Sequence, residues 1–361
     1  MSTSSHSKPS LTWLVRIPEV FVEWRDEILQ GLGAESMKRL GKDYDVIRLS
    51  DPSVLFDSDA AKFLSWKLPI DHSWPCNPAK TDSFVEKAAQ ALAKKFADES
   101  LQAVLTSALD PSSSNRYYRT LASNLRGRAL QLFPDQVAQQ SDVEGQHPKE
   151  PSLFCFVGKE GLFAGMQTPL LSGGFHAGGT KFIKQSAPEV ISRAGAKLAE
   201  ALHHLLLLQP MPPTGSHWLE LGASPGGMTA ELLARDYQVT AIDRAPLDAR
   251  LKNAKGLTAI VGDAASFHPP SGVRYDAILS DMNGDASHSL AHVIRLSRYA
   301  KPSAVVIFTV KLPGSATYGE VNEKVASVIT DARKGGLRLL QCKHLTYNRM
   351  EFTCFFQIAG K

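Results

Sequence analysis

The spacing of apolar residues predicts two architectures in succession along the chain. From residue 10 to about 170, strands and helices are mixed without a repeating order. Leu11–Ile17, Tyr44–Leu49 and Leu101–Thr106 read as strands, with a helix over Val20–Leu32. Thr81–Ser100 predicts an amphipathic helix, because Val85, Ala88, Ala89, Leu92 and Phe96 fall on one face. Asp82 and Glu86 near its start and Lys94 and Lys95 later suit the helix dipole. A basic helix is expected over Arg116–Leu132 and a polar, mobile loop over Phe133–Pro151. Ser152–Val157 and Gly161–Gln167 read as a β-hairpin. Pro52–Pro78, with its prolines and tryptophans, reads as irregular.

Residues 171–185 form a glycine-rich connector carrying Lys181 and Lys184. A flexible linker and a loop that closes over RNA phosphates both suit that composition. Ser186–Leu208 then predicts a long helix, with Pro188 suited to its first turn. From Trp218 the apolar runs become regular. His217–Leu221, Gln238–Ile242, Leu257–Val261, Tyr275–Leu279 and Val305–Val310 read as successive strands with helices between them. Asn322–Gly335 supplies a last helix, and Arg338–Leu345 and Glu351–Ile358 two closing antiparallel strands. Repeated βα units of this length predict a doubly wound α/β sheet with ligands at its C-terminal strand ends.

The chain of 361 residues is long enough for two or three domains, and its 43% apolar and 21% charged residues are those of a soluble globular protein. No apolar run is long enough to span a membrane, and Met1–Ser10 is polar without a signal-peptide core. Cys76, Cys155, Cys342 and Cys354 form neither C-x-x-C pairs nor a disulfide framework. Reduced thiols in a cytoplasmic protein are therefore expected, and no metal. The net charge of +4 hides an asymmetry. Residues 1–180 carry 19 basic against 21 acidic side chains, and residues 181–361 carry 21 against 15. A basic second half suits a polyanionic partner, as it would suit a solvated surface.

Chemistry concentrates at the strand ends. The first strand of the regular half runs into Gly222, Ala223, Ser224, Pro225, Gly226 and Gly227, and a helix opens at Met228. Such a turn lets a ligand approach the backbone closely, since glycine has no Cβ and tolerates φ > 0. Its glycine spacing is not the dinucleotide fingerprint G-x-G-x-x-G, which speaks against a nicotinamide-dependent oxidoreductase. Asp243 follows 21 residues after Gly222, where an acid can accept hydrogen bonds from ribose hydroxyls. Asp263 falls one strand later, on the adenine side of a nucleoside cofactor, and Asp281 ends the fourth strand. Lys311 ends the fifth, beside Asp281. Partial desolvation there would lower its pKa and suit it to act as a base or oxyanion partner.

Ser192–Leu198, Leu221–Gly227, Ser280–Met282, Val310–Leu312 and Arg349–Phe352 stand in the order that FtsJ-like RNA 2'-O-ribose methyltransferases show, and the chain resembles that family over residues 186–358. It is most similar to the RlmM type, which methylates a cytidine ribose in 23S rRNA, although Ser224 stands where that type commonly has Cys and Met228 where it has Trp. The resemblance implies a Rossmann-like S-adenosylmethionine-dependent domain over residues 186–361, preceded by an α+β, THUMP-like RNA-binding region over residues 1–170. It implies a Lys-Asp-Lys-Glu tetrad of Lys197, Asp281, Lys311 and Glu351, with RNA, most closely 23S rRNA, as partner. Lys311 would be the base, with Lys197 and Glu351 orienting it. Asp281 would tune the lysine charges and hold the methionine end of the cofactor. Both acids favour a charged lysine, so desolvation on RNA binding has to oppose them. Another RNA (a tRNA or a cap) and a non-catalytic RNA-binding role are the alternatives. The intact tetrad speaks against the second of these.

Overall fold

The computed structural model describes residues 11–133, 143–184, 190–315 and 317–359. Met1–Ser10, residues 134–142 of the loop expected over Phe133–Pro151, and the helix start expected at Ser186 and Pro188 lie outside the described residues. The chain forms two compact units, Met1–Thr180 and Lys181–Lys361.

The first unit holds two four-stranded sheets. Strands β1 (Thr12–Arg16), β2 (Glu35–Leu40), β3 (Tyr44–Arg48) and β4 (Trp66–Pro69) pair in the order β2-β3-β1-β4. Strands β5 (His72–Trp74), β6 (Val104–Ala108), β7 (Ser152–Gly158) and β8 (Gly161–Gln167) pair as β5-β8-β7-β6. Helices Phe84–Lys95 and Tyr117–Leu130 cover one face of the second sheet, burying Ala88, Leu92 and Leu125 against Leu153 and Cys155. The stretch expected to be irregular, residues 52–78, instead contributes β4, β5 and two short helical turns. The helix expected over Val20–Leu32 divides into a 3-10 turn, Glu19–Trp24, and an α-helix, Arg25–Gly31.

The glycine-rich connector begins as part of this first unit. Phe175 is buried, and its carbonyl accepts a hydrogen bond from the Gln146 amide at 3.0 Å. The Arg16 guanidinium donates to the Gly178 carbonyl at 2.9 Å and to the Thr180 hydroxyl at 2.5 Å. A Cβ on Gly178 would collide with the Tyr44 hydroxyl, and one on Gly179 would lie 2.9 Å from the Ser65 carbonyl oxygen. These glycines permit close packing, and the unit boundary falls at Thr180/Lys181.

The second unit is one seven-stranded sheet. Its strands are β9 (His217–Leu221), β10 (Gln238–Asp243), β11 (Leu257–Val261), β12 (Tyr275–Ser280), β13 (Ala300–Lys311), β14 (Leu337–Lys343) and β15 (Glu351–Ile358). They lie in the order β11-β10-β9-β12-β13-β15-β14. The first five are parallel, and β15 and β14 add antiparallel pairs at one edge. The winding reverses between β9 and β12, which opens a crevice at their C-terminal ends. Among the described residues no α-helix links β10 to β11 or β11 to β12, against the expectation of helices throughout; only the 3-10 turn Ala249–Leu251 occurs. Pro246, Pro269, Pro270 and Gly272 interrupt those connections. β11 consequently remains an exposed edge, with Val261 64% exposed.

Candidate active site

Four charged side chains from four separate elements converge at the crevice. Lys197 comes from helix Ala194–Leu208, which is buried on most sides, including at Lys197 and Glu200. That helix packs closely on helix Gly227–Leu233: a Cβ on Gly195 would lie 2.9 Å from the Gly227 carbonyl oxygen. The close crossing carries Lys197 to the strand ends. Asp281 follows β12, Lys311 ends β13, and Glu351 opens β15 directly opposite Lys311 in the antiparallel register.

Each lysine contacts both acids. The Lys197 Nζ lies 2.7 Å from Asp281 Oδ1 and 2.6 Å from Glu351 Oε1. The Lys311 Nζ lies 2.9 Å from Asp281 Oδ1 and 2.7 Å from Glu351 Oε2. Burial pushes the Glu351 carboxyl up, but its attraction and hydrogen bonds to Lys197 and Lys311 prevail and hold it down at about 2. For Lys311 burial lowers the pKa, and the charges and hydrogen bonds of Asp281 and Glu351 together outweigh it. The net direction is upward. This corrects the expectation that desolvation would lower it: the strand end supplies two carboxylates, and the free protein holds Lys311 as an ammonium.

A further residue steadies the acid partner. The Asn348 side-chain amide donates to Glu351 Oε1 at 3.2 Å, while its oxygen accepts from the Leu345 N–H and the Thr353 hydroxyl. Nothing in the local sequence distinguishes Asn348 from a turn residue.

Beside the quartet, a cleft of about 450 Å³ is lined by Gly222, Ala223, Ser224, Pro225, Gly227, Asp243 and Asp281, together with Glu220 and Asn283. Gly226 does not face it; its φ of +107° turns the chain into the following helix. A second cleft, about 1080 Å³, shares Gly222, Asp243 and Asn283 and adds Asp263, Arg244 and His292. Asp243 is built into the turn itself: Oδ2 accepts the Ser224 N–H at 3.0 Å and Oδ1 the Ala245 N–H at 2.8 Å. The Ala265 N–H and the Arg244 guanidinium hold the Asp263 carboxyl below its usual range.

Glu220 escaped the sequence reading because it sits inside an apolar strand. Its buried carboxylate accepts the Thr229 hydroxyl at 2.7 Å. Burial, with Asp281 and Asp243 adding to it, pushes its pKa up to about 8. In the smaller cleft Asp243 and Asp281 supply carboxylates, and the Glu220 carboxyl beside them holds its proton at neutral pH. Among the described residues, no cluster of His, Cys, Asp and Glu could hold a metal ion, and no helix is long and apolar enough to cross a membrane.

A Ribosomal RNA large subunit methyltransferase M from Shewanella loihica is 29% identical over 219 residues, covering 58% of this chain and 59% of that protein. One from Cellvibrio japonicus is 31% identical over 182 residues, covering 49% and 50%. The chain thus spans less than two thirds of the length of these relatives. Among solved structures, the Methanococcus jannaschii fibrillarin pre-rRNA processing protein is 16% identical with a TM-score of 0.37, covering 62% of this chain and 86% of that one. Residues 190–316, which hold the glycine turn, Asp243, Asp263, Asp281 and Lys311, match the family model of FtsJ-like methyltransferases.

Proposed function

We propose that this chain transfers a methyl group from S-adenosylmethionine to the 2'-hydroxyl of a ribose in RNA, with a cytidine of 23S rRNA as the preferred target. The observation that carries this reading is the quartet of Lys197, Asp281, Lys311 and Glu351 beside an acidic cleft at the point where the sheet winding reverses.

The residues of the cleft fit the cofactor. S-adenosylmethionine supplies a sulfonium-activated methyl group, and its ammonium and sulfonium charges suit the carboxylates of Asp243 and Asp281 in that cleft. Asp243 retains acceptor capacity for ribose hydroxyls beside the two backbone bonds it already makes. Asp263 belongs on the adenosine side, in the larger adjoining cleft. The glycine turn excludes side chains where the ligand lies against the backbone.

On its other side Lys311 lines a third cleft, of about 680 Å³, together with Pro313, Lys324, Ser327 and Asp285. The acceptor ribose belongs there, with its 2'-oxygen turned to the donor cleft and Lys311 alongside it to take up the proton. A 2'-hydroxyl is a weak nucleophile, and the protein's main work is to align it with the methyl group and take up its proton. Lys311 is assigned as the base. It acts from its neutral minority form, because Asp281 and Glu351 keep most of it charged. Lys197 balances the two acids and Asn348 fixes the Glu351 carboxylate. The first unit, the region read as THUMP-like, is assigned to RNA affinity, since every cofactor-type strand end lies after residue 217. Methyl-site mapping in RNA from a strain lacking the gene, with and without the purified protein, tests the reading. A 2'-O-methyl cytidine in 23S rRNA that is lost and then restored is the expected result. An unchanged map overturns it.

A further inference from the structure

Lys181–Lys184, the end of the glycine-rich stretch, takes no part in the chemistry above. Phe182 within it is 70% exposed, the most exposed large apolar side chain among the described residues. Lys181 and Lys184 flank it, and Lys184 is exposed too. Although the segment has no regular secondary structure, its backbone is held at Ile183 by one side chain. The Ile183 N–H donates to the Tyr347 hydroxyl at 2.6 Å, and that hydroxyl donates to the Ile183 carbonyl at 3.2 Å.

Tyr347 is itself anchored. Its backbone N–H and that of Thr346 donate to the two oxygens of the buried Glu200, each at 2.9 Å. Glu200 lies one helical turn after Lys197. The residue after Tyr347 is Asn348, which holds Glu351. Phe182 is thus linked to the quartet by two short routes of backbone and hydrogen bonds, through Glu200 and through Asn348. The held backbone at Ile183 presents the exposed Phe182 ring at a set place, open to a flat partner that can stack on it.

We infer that Phe182 is a stacking platform for an unpaired base of RNA next to the methylated nucleotide, with Lys181 and Lys184 facing the flanking phosphates. The inference rests on the RNA-methylating reading above and extends it to how the acceptor strand is held. An aromatic face accepts any base, and lysines on either side supply the charge that a phosphodiester strand requires. The excess of basic over acidic residues in this half of the chain, 21 against 15, favours a polyanion over an apolar protein partner. Holding the neighbouring base leaves the target ribose free to enter the cleft at Lys311.

The test uses the full chain and a fluorescently labelled, mixed-sequence single-stranded RNA, read by anisotropy alongside calorimetry with S-adenosylmethionine. Phe182→Ala is expected to weaken RNA binding roughly five- to hundred-fold, the range of one lost base stack. Phe182→Trp should restore affinity and Phe182→Leu should not, with cofactor affinity unchanged in all three. Lys184→Ala should reduce the salt dependence of binding by about one counterion. Unchanged RNA affinity in Phe182→Ala, or full rescue by Leu, overturns the platform; the latter outcome means that apolar bulk, not an aromatic face, supports binding. The two readings separate in the same set of proteins. Normal methyl transfer by Phe182→Ala removes the platform alone. Phenylalanine-dependent RNA binding in a wild-type chain that methylates no RNA removes the methyltransferase reading alone.

Discussion

Lys197 and Lys311 share one oxygen: both Nζ atoms lie on Asp281 Oδ1, at 2.7 and 2.9 Å. The second acid, Glu351, divides its oxygens, giving Oε1 to Lys197 and Oε2 to Lys311. A single charge on Asp281 therefore serves two ammonium groups in a mostly buried setting. Asp281→Asn leaves two cations against Glu351 alone. Removing one partner of a buried ionic cluster costs about 3–5 kcal/mol. Chemical denaturation at neutral pH should show a loss of that order. A midpoint unchanged from wild type would mean that the cluster is well solvated.

Glu220 gives the opposite kind of pH dependence from Glu351. Its pKa in the folded chain, about 8, lies above the ordinary value of 4.5, so the folded state holds a proton that the unfolded state releases. The stability this gives is fully present below 4.5 and is lost as pH rises towards 8. Glu351, at about 2, contributes above 4.5 and loses its contribution as pH falls towards 2. Glu220→Gln keeps the Thr229 hydrogen bond and cannot ionise. The variant should gain on wild type by at most about 1.4 kcal/mol per pH unit between 4.5 and 8, and run parallel above that. Melting curves over this range check it, and parallel curves throughout would mean that Glu220 is already ionised.

How much of this was legible in the sequence depends on whether a signal is local. The apolar runs of β9, β10, β12 and β15 mark buried strands, and the residues that end or open them fall at the crevice as the alternation predicts. Strand β2, Glu35–Leu40, is exposed along nearly its whole length and carries no alternating pattern, so it left no trace. Strands β4 and β5 are too short, and too close to prolines, to stand out from an irregular segment. The site shows the same division. The four quartet residues could be named from motifs, yet the upward shift of Lys311 arises from the simultaneous approach of Asp281 and Glu351, which lie 30 and 40 residues away in sequence. Asn348, Glu220 and the tie from Tyr347 to Ile183 depend wholly on such long-range contacts.

Asp243 serves two masters, since the carboxylate that faces the cleft also accepts the Ser224 and Ala245 N–H groups. Asp243→Ala should weaken S-adenosylmethionine binding by roughly 1.5–3 kcal/mol through a lost charge-assisted bond. Loosening of the turn adds to that loss. Asp243→Asn separates the contributions, because it preserves one acceptor for the turn and removes the charge. Calorimetry should place the Asn variant between wild type and Ala. Equal affinity in all three would exclude Asp243 from the cofactor site.

Lys311 decides the mechanism. Asp281 and Glu351 raise its pKa above the ordinary lysine value of 10.5, so at neutral pH only a small fraction is neutral. If that fraction is the base, single-turnover methyl transfer with saturating cofactor and RNA should accelerate about tenfold per pH unit, through the neutral range and into the alkaline. If Lys311 acts only as a fixed positive charge, the rate should be level there and fall once the lysine titrates. Substitution gives an independent reading. Lys311→Ala should keep cofactor affinity and most RNA affinity while losing about 10²–10⁴-fold in rate, because the contribution lies in the transition state. Lys311→Arg keeps a positive charge beside Asp281 and Glu351 but cannot accept a proton at any working pH. A base therefore predicts an Arg variant as slow as Ala, and an electrostatic group predicts a substantial rescue. Near-normal turnover by Lys311→Arg, with a level pH profile in the wild type, would remove the base assignment and leave Lys311 to stabilise the developing oxyanion.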